Sequence, residues 1–317
     1  MNGALVLLVN PRAGAGRARR VLPAIEAALR AREVPFRTVL TRAPREATAL
    51  TREALAAGAP GVAVVGGDGT LSEATGGFFS ETGEALAPGA YLAPLSAGTG
   101  GDFRRSIGSR NLGSAGDRVV DLVERMLSAT PRPIDAGWVE HLDGEGRPAR
   151  RAFLNIASFG MGGLVDRLVE EGPKWIGGAG AFFVAGLRAL GRYRPQGVRL
   201  RLDDGPPRET RVHNLMIANG QYFGGGMHAA PRAVLDDGLF DVVGMEGMSH
   251  LDALRCAPAL YDGGLLERPG VTFARARRVH AEPLVPSDHV LLDIDGEAPG
   301  RLPATFEVRP AALHLRA

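Results

Sequence analysis

Lysine is almost absent from this chain. Of its 317 residues 37 are basic, and all of these but Lys174 are arginines. A Walker-A loop needs Lys followed by Ser or Thr after a glycine-rich turn, whereas Lys174 stands between Pro173 and Trp175. A protein-kinase lysine needs a V-A-I-K strand near the start, and there is none. Any phosphate must therefore be held without a P-loop cation. Cysteine is as scarce: Cys256 is alone, which excludes an intrachain disulfide and a thiolate metal cluster and fits a reducing, cytoplasmic compartment. An excess of one charge is missing too, since 37 basic residues face 35 acidic ones. That is no nucleic-acid footprint. The clusters Arg17, Arg19, Arg20 and Arg275, Arg277, Arg278 read as solvated faces that can also meet anionic lipid headgroups. Long apolar runs are lacking: Ile176 to Leu187 falls short of the roughly 18 residues that span a bilayer. The run Ala4 to Val9, with no basic region ahead of it, is too short for a signal-peptide core. The expectation is a soluble protein, at most peripheral at the inner membrane face, with no transmembrane segment and no nucleic-acid partner.

With 45% hydrophobic and 23% charged residues, the chain has the composition of a globular protein long enough for two domains. Its first part alternates short apolar runs (Ala4–Val9, Val34–Leu40, Gly61–Val65, Tyr91–Pro94) with helical patterns (Arg17–Arg32, Pro44–Ala57, Thr70–Phe79, Ala115–Ser128). Such alternation predicts a parallel sheet covered on both faces, with ligands at the carboxyl ends of its strands. After Pro131 and Pro133 the pattern becomes strand after strand: Ile134–Val139, Ala152–Ala157, Val198–Leu202, Val212–Ala218, Leu239–Val243, Val271–His280, Val290–Ile294 and Thr305–Val308. Helices are expected there at Gly162–Glu171, Gly177–Arg192 and His250–Leu260. The fold class is thus α/β plus mostly-β: a doubly wound Rossmann-like domain over 1–130 and an antiparallel β-rich domain with helices over 131–309.

Three glycine loops follow strands of the first domain. Gly66-Gly67-Asp68-Gly69-Thr70 follows Val62–Val65 and opens a helix. Its glycines let backbone N–H groups close on an anion, and the helix start adds a positive dipole end. Asp68 in such a loop repels phosphate unless a metal lies between, so it reads as a Mg²⁺ ligand or a base. The plainer alternative is a turn with Thr70 as a helix cap. Asn10-Pro11-Arg12-Ala13-Gly14-Ala15-Gly16 and Ser96-Ala97-Gly98-Thr99-Gly100-Gly101-Asp102 hold equivalent places after the first strand and after Tyr91–Pro94. Each loop alone is weak evidence, but three at the strand ends of one sheet would converge on a single crevice.

These loops resemble the diacylglycerol kinase catalytic domain family, which is distantly similar to NAD kinases and phosphofructokinases. The likeness continues through Asp135-Ala136-Gly137, Phe153 to Gly160, Asn219, Gly224-Gly225-Gly226, Pro231, Leu235-Asp236-Asp237-Gly238-Leu239 and Asp295-Gly296-Glu297. The resemblance implies an NAD kinase- or phosphofructokinase-like ATP-binding domain, completed by residues 310–317, and a β-sandwich lipid-substrate domain. It implies transfer of the γ-phosphoryl group of ATP, with Mg²⁺, to the hydroxyl of diacylglycerol or a related lipid at the membrane surface, in a cleft between the domains. Asn10, Thr41, Gly66, Gly67, Asp68, Gly69, Thr70, Ser72 and Thr99 match nucleotide-contacting positions. Asp68, Asp102 and Asp135 match the positions that organise the active-site Mg²⁺. Glu297 matches the proton acceptor, with Asp295 beside it in the same catalytic motif. Asp237, with the carbonyls of Val234 and Leu239, matches a second, structural Mg²⁺ site. Gly101 departs, standing where the family has Asn, which removes a side-chain amide. A homodimer is left open.

Other readings carry less. Pro94-Leu95-Ser96-Ala97-Gly98 lacks the first glycine of a hydrolase nucleophile elbow. Gly14-Ala15-Gly16 has Arg19 at the third glycine position of a dinucleotide fingerprint. An NAD kinase-like small-molecule kinase shares the Gly-Gly-Asp-Gly-Thr loop but needs an Asn-Asn-Glu motif that this chain lacks. A non-catalytic lipid-binding relative is conceivable from Gly101, against which stand Asp68 and Glu297. The apolar helix around Trp175, Ile176, Phe182, Phe183, Val184 and Leu187 reads as core or as the lining of a lipid slot.

Overall fold

A run such as Leu5-Val6-Leu7-Leu8-Val9, buried at every residue, is what a strand covered on both faces requires. In the computed structural model, which describes residues 3–98, 100–109, 112, 116–171 and 193–317, this run is β1 (Leu5–Val9). With β2 (Phe36–Leu40), β3 (Gly61–Gly66) and β4 (Tyr91–Ser96) it forms a parallel sheet in the order β2-β1-β3-β4. The helices are α1 (Ala13–Ala31), α2 (Glu46–Ala56), α3 (Asp68–Gly76), the short α4 (Asp102–Ser106) and α5 (Gly116–Ser128). Leu5, Leu7, Val9, Ala63, Val65, Ala93 and Leu95 share one core with Val21, Ile25 and Leu29 of α1 and Val119 and Val123 of α5. The alternate residues Val6, Leu8, Val62, Val64 and Leu92 are buried as well, on the face that α2 and α3 cover. The sheet is therefore doubly wound, as expected. Its order reverses between β1 and β3, and the crevice outside such a reversal is where α/β sheets take ligands.

Contacts gather Met1–Ile134 and Ala311–Ala317 into one compact unit and Asp135–Pro310 into another. The second unit is almost all antiparallel: β5 (Arg132–Asp143), β6 (Pro148–Phe153), β7 (Ile156–Gly160), β8 (Gln196–Leu202), β9 (Arg208–Ala218), a small hairpin of β10 (Tyr222–Phe223) and β11 (Met227–His228), β12 (Phe240–Glu246), β13 (Val271–Ala276), β14 (Arg278–Pro283), β15 (Leu292–Ile294) and β16 (Gly300–Leu315). Helix α6 (Met161–Glu171) follows β7, and Ser249 caps the helix His250–Cys256 by accepting from the Asp252 amide. Along one edge β9 pairs with β12. Along the other, its first half takes β8 and its second half β7, so two strands share one edge. Phe153, Phe159, Phe240 and Phe306 lie at the centre, with ring centroids 5.5 to 6.4 Å apart. Gly137 leaves room for this cluster, because a Cβ there would lie 2.0 Å from the Phe153 ring.

Two expected strands are each broken in two. Ala152–Ala157 divides at Leu154-Asn155 into β6 and β7, and Val271–His280 divides at Arg277 into β13 and β14. No glycine or proline marks either break; a distant carboxylate binds the freed amides instead. Asp203 accepts from the N–H groups of Arg277 and Arg278, both at 2.8 Å, and Asp295 does the same for the other break. Both aspartates have left-handed backbones, with φ of 48° and 52°. The expected strand Thr305–Val308 is part of a longer one that reaches the residues expected to complete the first domain: β16 runs 16 residues, with Ala304–Glu307 on β14 and His314 and Leu315 parallel to β4. Lys174, Thr99 and the apolar helix expected over Gly177–Arg192 lie outside the described residues. Among the described residues no helix is long and apolar enough to cross a membrane.

Candidate active site

In the first unit the three glycine loops touch one another through their backbones. A Cβ on Gly14 would lie 2.0 Å from the Ala97 carbonyl oxygen, and one on Gly98 would lie 2.6 Å from the Gly67 Cα. Both glycines are thus required by close approach. A Cβ on Gly66 would lie 2.7 Å from the Thr70 side chain, and one on Gly100 would lie 2.7 Å from Asp68 Oδ2. Helix α1 is regular only from Arg17, because Gly14, Ala15 and Gly16 all have positive φ.

Polar groups fix the same corner. Asn10 donates from Nδ2 to Thr70 Oγ1 at 2.9 Å, its Oδ1 accepts from the Arg12 amide, and its own amide donates to Val65 at 3.0 Å. The Thr41 amide donates to Val9. Asp68 Oδ2 accepts the Gly101 amide at 2.5 Å, while no hydrogen bond to Oδ1 is found among the described residues. Asp102 is buried, with Oδ1 accepting from Arg105 at 2.8 Å. Ser72 is 2% exposed and its hydroxyl has no hydrogen-bond partner among the described residues. Asn10, Gly66, Gly67, Asp68, Gly69, Thr70 and Asp102 are therefore assembled at the carboxyl ends of β1, β3 and β4, with Thr41 after β2 and Ser72 one turn into α3.

The second unit brings its expected residues together in two groups. Asp135, 1% exposed, accepts the Gly238 amide on Oδ2 at 2.7 Å and donates its own amide to Leu235 at 2.6 Å. That stitches it to the loop carrying Val234, Asp237 and Leu239. Asn219 donates to the Asp135 and Leu154 carbonyls at 3.1 and 2.7 Å. In the other group, Ile294 and Glu297 exchange backbone hydrogen bonds across Asp295-Gly296, both with positive φ, the tight turn for which Asp-Gly is preferred. Asp295 accepts the amides of Leu154, Asn155 and Ile156 at 2.9, 3.0 and 3.1 Å. Its carboxylate holds the β6–β7 break. Glu297 pairs through Oε2 with Arg151 at 2.8 Å, and no hydrogen bond to Oε1 is found among the described residues.

Mg²⁺ prefers oxygen ligands and keeps several waters, so one or two carboxylates beside substrate phosphates suffice. Asp68 fits that role, since one of its oxygens is uncommitted among the described residues, and Asp102, the residue after the Gly101 whose amide Asp68 accepts, supplies a second carboxylate. The residues proposed for a second metal do not fit one as arranged. Arg275 donates to Asp237 Oδ2 and also to Asp241 at 3.2 Å, while Asp237 Oδ1 accepts the Leu239 amide at 3.1 Å. A guanidinium already supplies the positive charge. Among the described residues no group of three His, Cys, Asp or Glu side chains is placed to hold a metal. Arg104, Arg105 and Arg151 were missed by sequence reasoning, and Arg275, read there as part of a solvated face, pairs with Asp237 and Asp241. In so arginine-rich a chain nothing local distinguishes them.

A profile of the diacylglycerol kinase catalytic domain matches residues 4–139, and one of the YegS C-terminal NAD kinase beta sandwich-like domain matches residues 155–317. A Mycobacterium tuberculosis protein named diacylglycerol kinase is 31% identical over 323 aligned positions, covering 99% of this chain and 94% of its own. A Pseudomonas putida protein named "Probable lipid kinase YegS-like" is 32% identical, with coverages of 85% and 81%. Among solved structures, a diacylglycerol kinase from Bacillus anthracis str. Sterne superposes with a TM-score of 0.67 at 20% identity, covering 99% of this chain and 96% of that one. Yeast NADH kinase complexed with NADH gives 0.53 at 7% identity, with coverages of 98% and 82%. At such identities these structures speak to the fold alone, and they agree with the α/β unit and the β-sandwich-like unit described above.

Proposed function

This chain belongs to the diacylglycerol kinase catalytic domain family, and on that premise we propose that it moves the γ-phosphoryl group of ATP onto the hydroxyl of diacylglycerol or a closely related lipid. The observation that carries the nucleotide part is the backbone contact of the three glycine loops around Asp68, at the carboxyl ends of β1, β3 and β4. Membership makes the chain a lipid kinase. ATP, Mg²⁺ and the acceptor are the finer parts of the proposal.

Phosphoryl transfer asks a protein for positioning, neutralisation of charge and a group that accepts the hydroxyl proton. The glycine loops present backbone N–H groups at a helix start to the phosphates. Asp68 and Asp102 would hold Mg²⁺, whose charge offsets that of the triphosphate when bound. Asn10, tied to Thr70, keeps the first loop against the start of α3. Glu297 is the candidate proton acceptor: Arg151 fixes its orientation through Oε2 and Oε1 is left to face a hydroxyl. Asp295 acts on this step only through Glu297, by holding the turn that carries it. With no P-loop lysine, anion binding falls to amides and arginine. The lipid is met at the membrane surface, on the cytoplasmic side.

The test is transfer of label from γ-labelled ATP, with Mg²⁺, into a panel of diacylglycerol, sphingoid bases and total lipid extract. Label should enter diacylglycerol or a related lipid and be lost with Asp68→Asn. No labelled lipid, or equal labelling by Asp68→Asn, overturns the proposal. A parallel reaction with NAD⁺ that yields labelled product would favour the small-molecule kinase instead.

A further inference from the structure

The loop after β4 departs from the family resemblance at Gly101, and another residue occupies the vacated space. Gly101 has φ +69°, in the left-handed region that glycine and asparagine enter most readily. The backbone therefore keeps its turn without the side chain, and its amide still reaches Asp68 at 2.5 Å. A Cβ at position 101 would lie 2.7 Å from Nε of Arg104, 3.1 Å from Nη2 and 3.3 Å from Cζ. The guanidinium lies directly on the Gly101 backbone, where any larger residue would put its side chain.

Arg104 is little used by the fold. Nη1 donates to the Ser109 carbonyl at 3.1 Å, whereas Nε is buried and has no hydrogen-bond partner among the described residues. Arg105, by contrast, is committed to the Gly100 carbonyl at 2.6 Å and to Asp102 at 2.8 Å. Burial and the neighbouring Arg105 work against the charge of Arg104, while Asp68 and Asp102 favour it. Leaving a buried donor unmade costs about 1–3 kcal/mol, and an arginine cannot escape that cost by losing its proton. A partner that arrives with the ligand accounts for the arrangement. An oxyanion is the partner for which a guanidinium fork is shaped.

We propose that Arg104 is a phosphate-contacting residue of the nucleotide site, seated where a side chain at position 101 would otherwise stand. The proposal rests on the ATP reading above and adds to it the chain's own cation for the triphosphate, in a protein whose lone lysine belongs to no Walker-A motif. It also makes the two positions exclusive: a side chain at 101 displaces the guanidinium.

Calorimetric titration of the full-length protein with Mg-ATP, and separately with adenosine, tests this. Arg104→Gln keeps most of the volume and polarity, and should weaken Mg-ATP about tenfold, equivalent to roughly 1.4 kcal/mol, while leaving adenosine affinity and the melting temperature unchanged. Arg104→Lys should recover only part, lacking the fork. Gly101→Asn should also weaken Mg-ATP by displacing the guanidinium. In the double variant Gly101→Asn with Arg104→Gln the loss should be smaller than the two single losses combined, because the guanidinium that Gly101→Asn displaces is already gone. Equal Mg-ATP affinity of wild type and Arg104→Gln, equal losses for ATP and adenosine, or strict additivity in the double variant overturns the proposal. A wild-type protein that binds no Mg-ATP overturns the nucleotide reading itself, an outcome distinct from any of these.

Discussion

The two units build turns of similar sequence for opposite ends. In the first, Gly67-Asp68-Gly69 lies among loops that touch through bare Cα atoms, and Asp68 accepts one amide on one oxygen. In the second, Asp295-Gly296 makes a tight turn whose aspartate accepts three amides from a strand break some 140 residues away in the chain. Asp203 does the same for two more. The first unit removes side chains to leave backbone donors open; the second adds carboxylates to close them. Buried charge follows this division. Asp135, Asp241, Glu246 and Asp293 are buried in the second unit, whereas in the first Asp102 is the buried acid among the described residues. An aspartate beside a glycine thus says little by itself, and the number of amides it already holds tells whether it is free for a ligand.

The largest effect should come from filling the bare approach. Gly98→Ala places a Cβ 2.6 Å from the Gly67 Cα, so the two loops must separate, and a displacement near 1 Å costs about 100-fold in turnover. Lipid phosphorylation should fall by that order while hydrogen exchange in the second unit is unchanged. Full activity would mean that the loops do not need to touch. Next in size, Asp295→Ala strands three amides and should lower stability by about 3 kcal/mol in urea titrations, with Asp295→Asn losing less. If Asp295→Asn instead kept full stability and lost activity outright, Asp295 would belong with Asp68, and the contrast between the units would break.

A smaller loss should follow Arg275→Ala. Asp241, 1% exposed, has its carboxyl pushed up by burial, an effect that Arg275 opposes. Unmaking a buried pair costs about 3–5 kcal/mol, and the partial exposure of the arginine brings the expectation down to about 1–2 kcal/mol. Mg²⁺ restoring part of the melting temperature in that variant would show the carboxylates accepting a metal in the guanidinium's place.

The smallest effect is with pH. Burial lowers the pKa of His141, His213 and His228 below the ordinary 6.5, and His250 adds to the shift at His213. The unfolded chain then binds more protons than the folded one below that value. Stability from these groups is present above about pH 6.5 and is lost as the pH falls toward their folded values. All three belong to the second unit, so hydrogen exchange measured at pH 7.5 and 5.5 should show that unit loosening on acidification, with little change in β1, β3 and α1.

Much of the first unit was legible because its signals are local. A buried apolar strand, a glycine loop and a helix start repeat within spans of about 30 residues, and the Asn10, Gly66 and Ser96 loops could be placed from that repeat. In the second unit the decisive contacts are distant. Leu154-Asn155 carries no breaker, and the reason for its break is Asp295, which only the folded chain brings there. Arg151 opposite Glu297 and Arg104 over Gly101 were equally hidden, since an arginine gives no pattern where nearly every cation is arginine. Gly101 reads in the sequence as the loss of a side-chain amide, and the fold sets the Arg104 guanidinium against that bare position.

The long strand β16 bears on how the protein is made. The edge of β4 receives its neighbour only when His314 and Leu315 arrive. At about 5–20 residues per second, a ribosome needs roughly 10–40 s to reach them after completing β4. Throughout that time the sheet that carries the glycine loops shows a bare, apolar edge, the kind of surface to which other nascent chains add. The ordering of synthesis therefore sets a period of vulnerability that the finished molecule does not reveal.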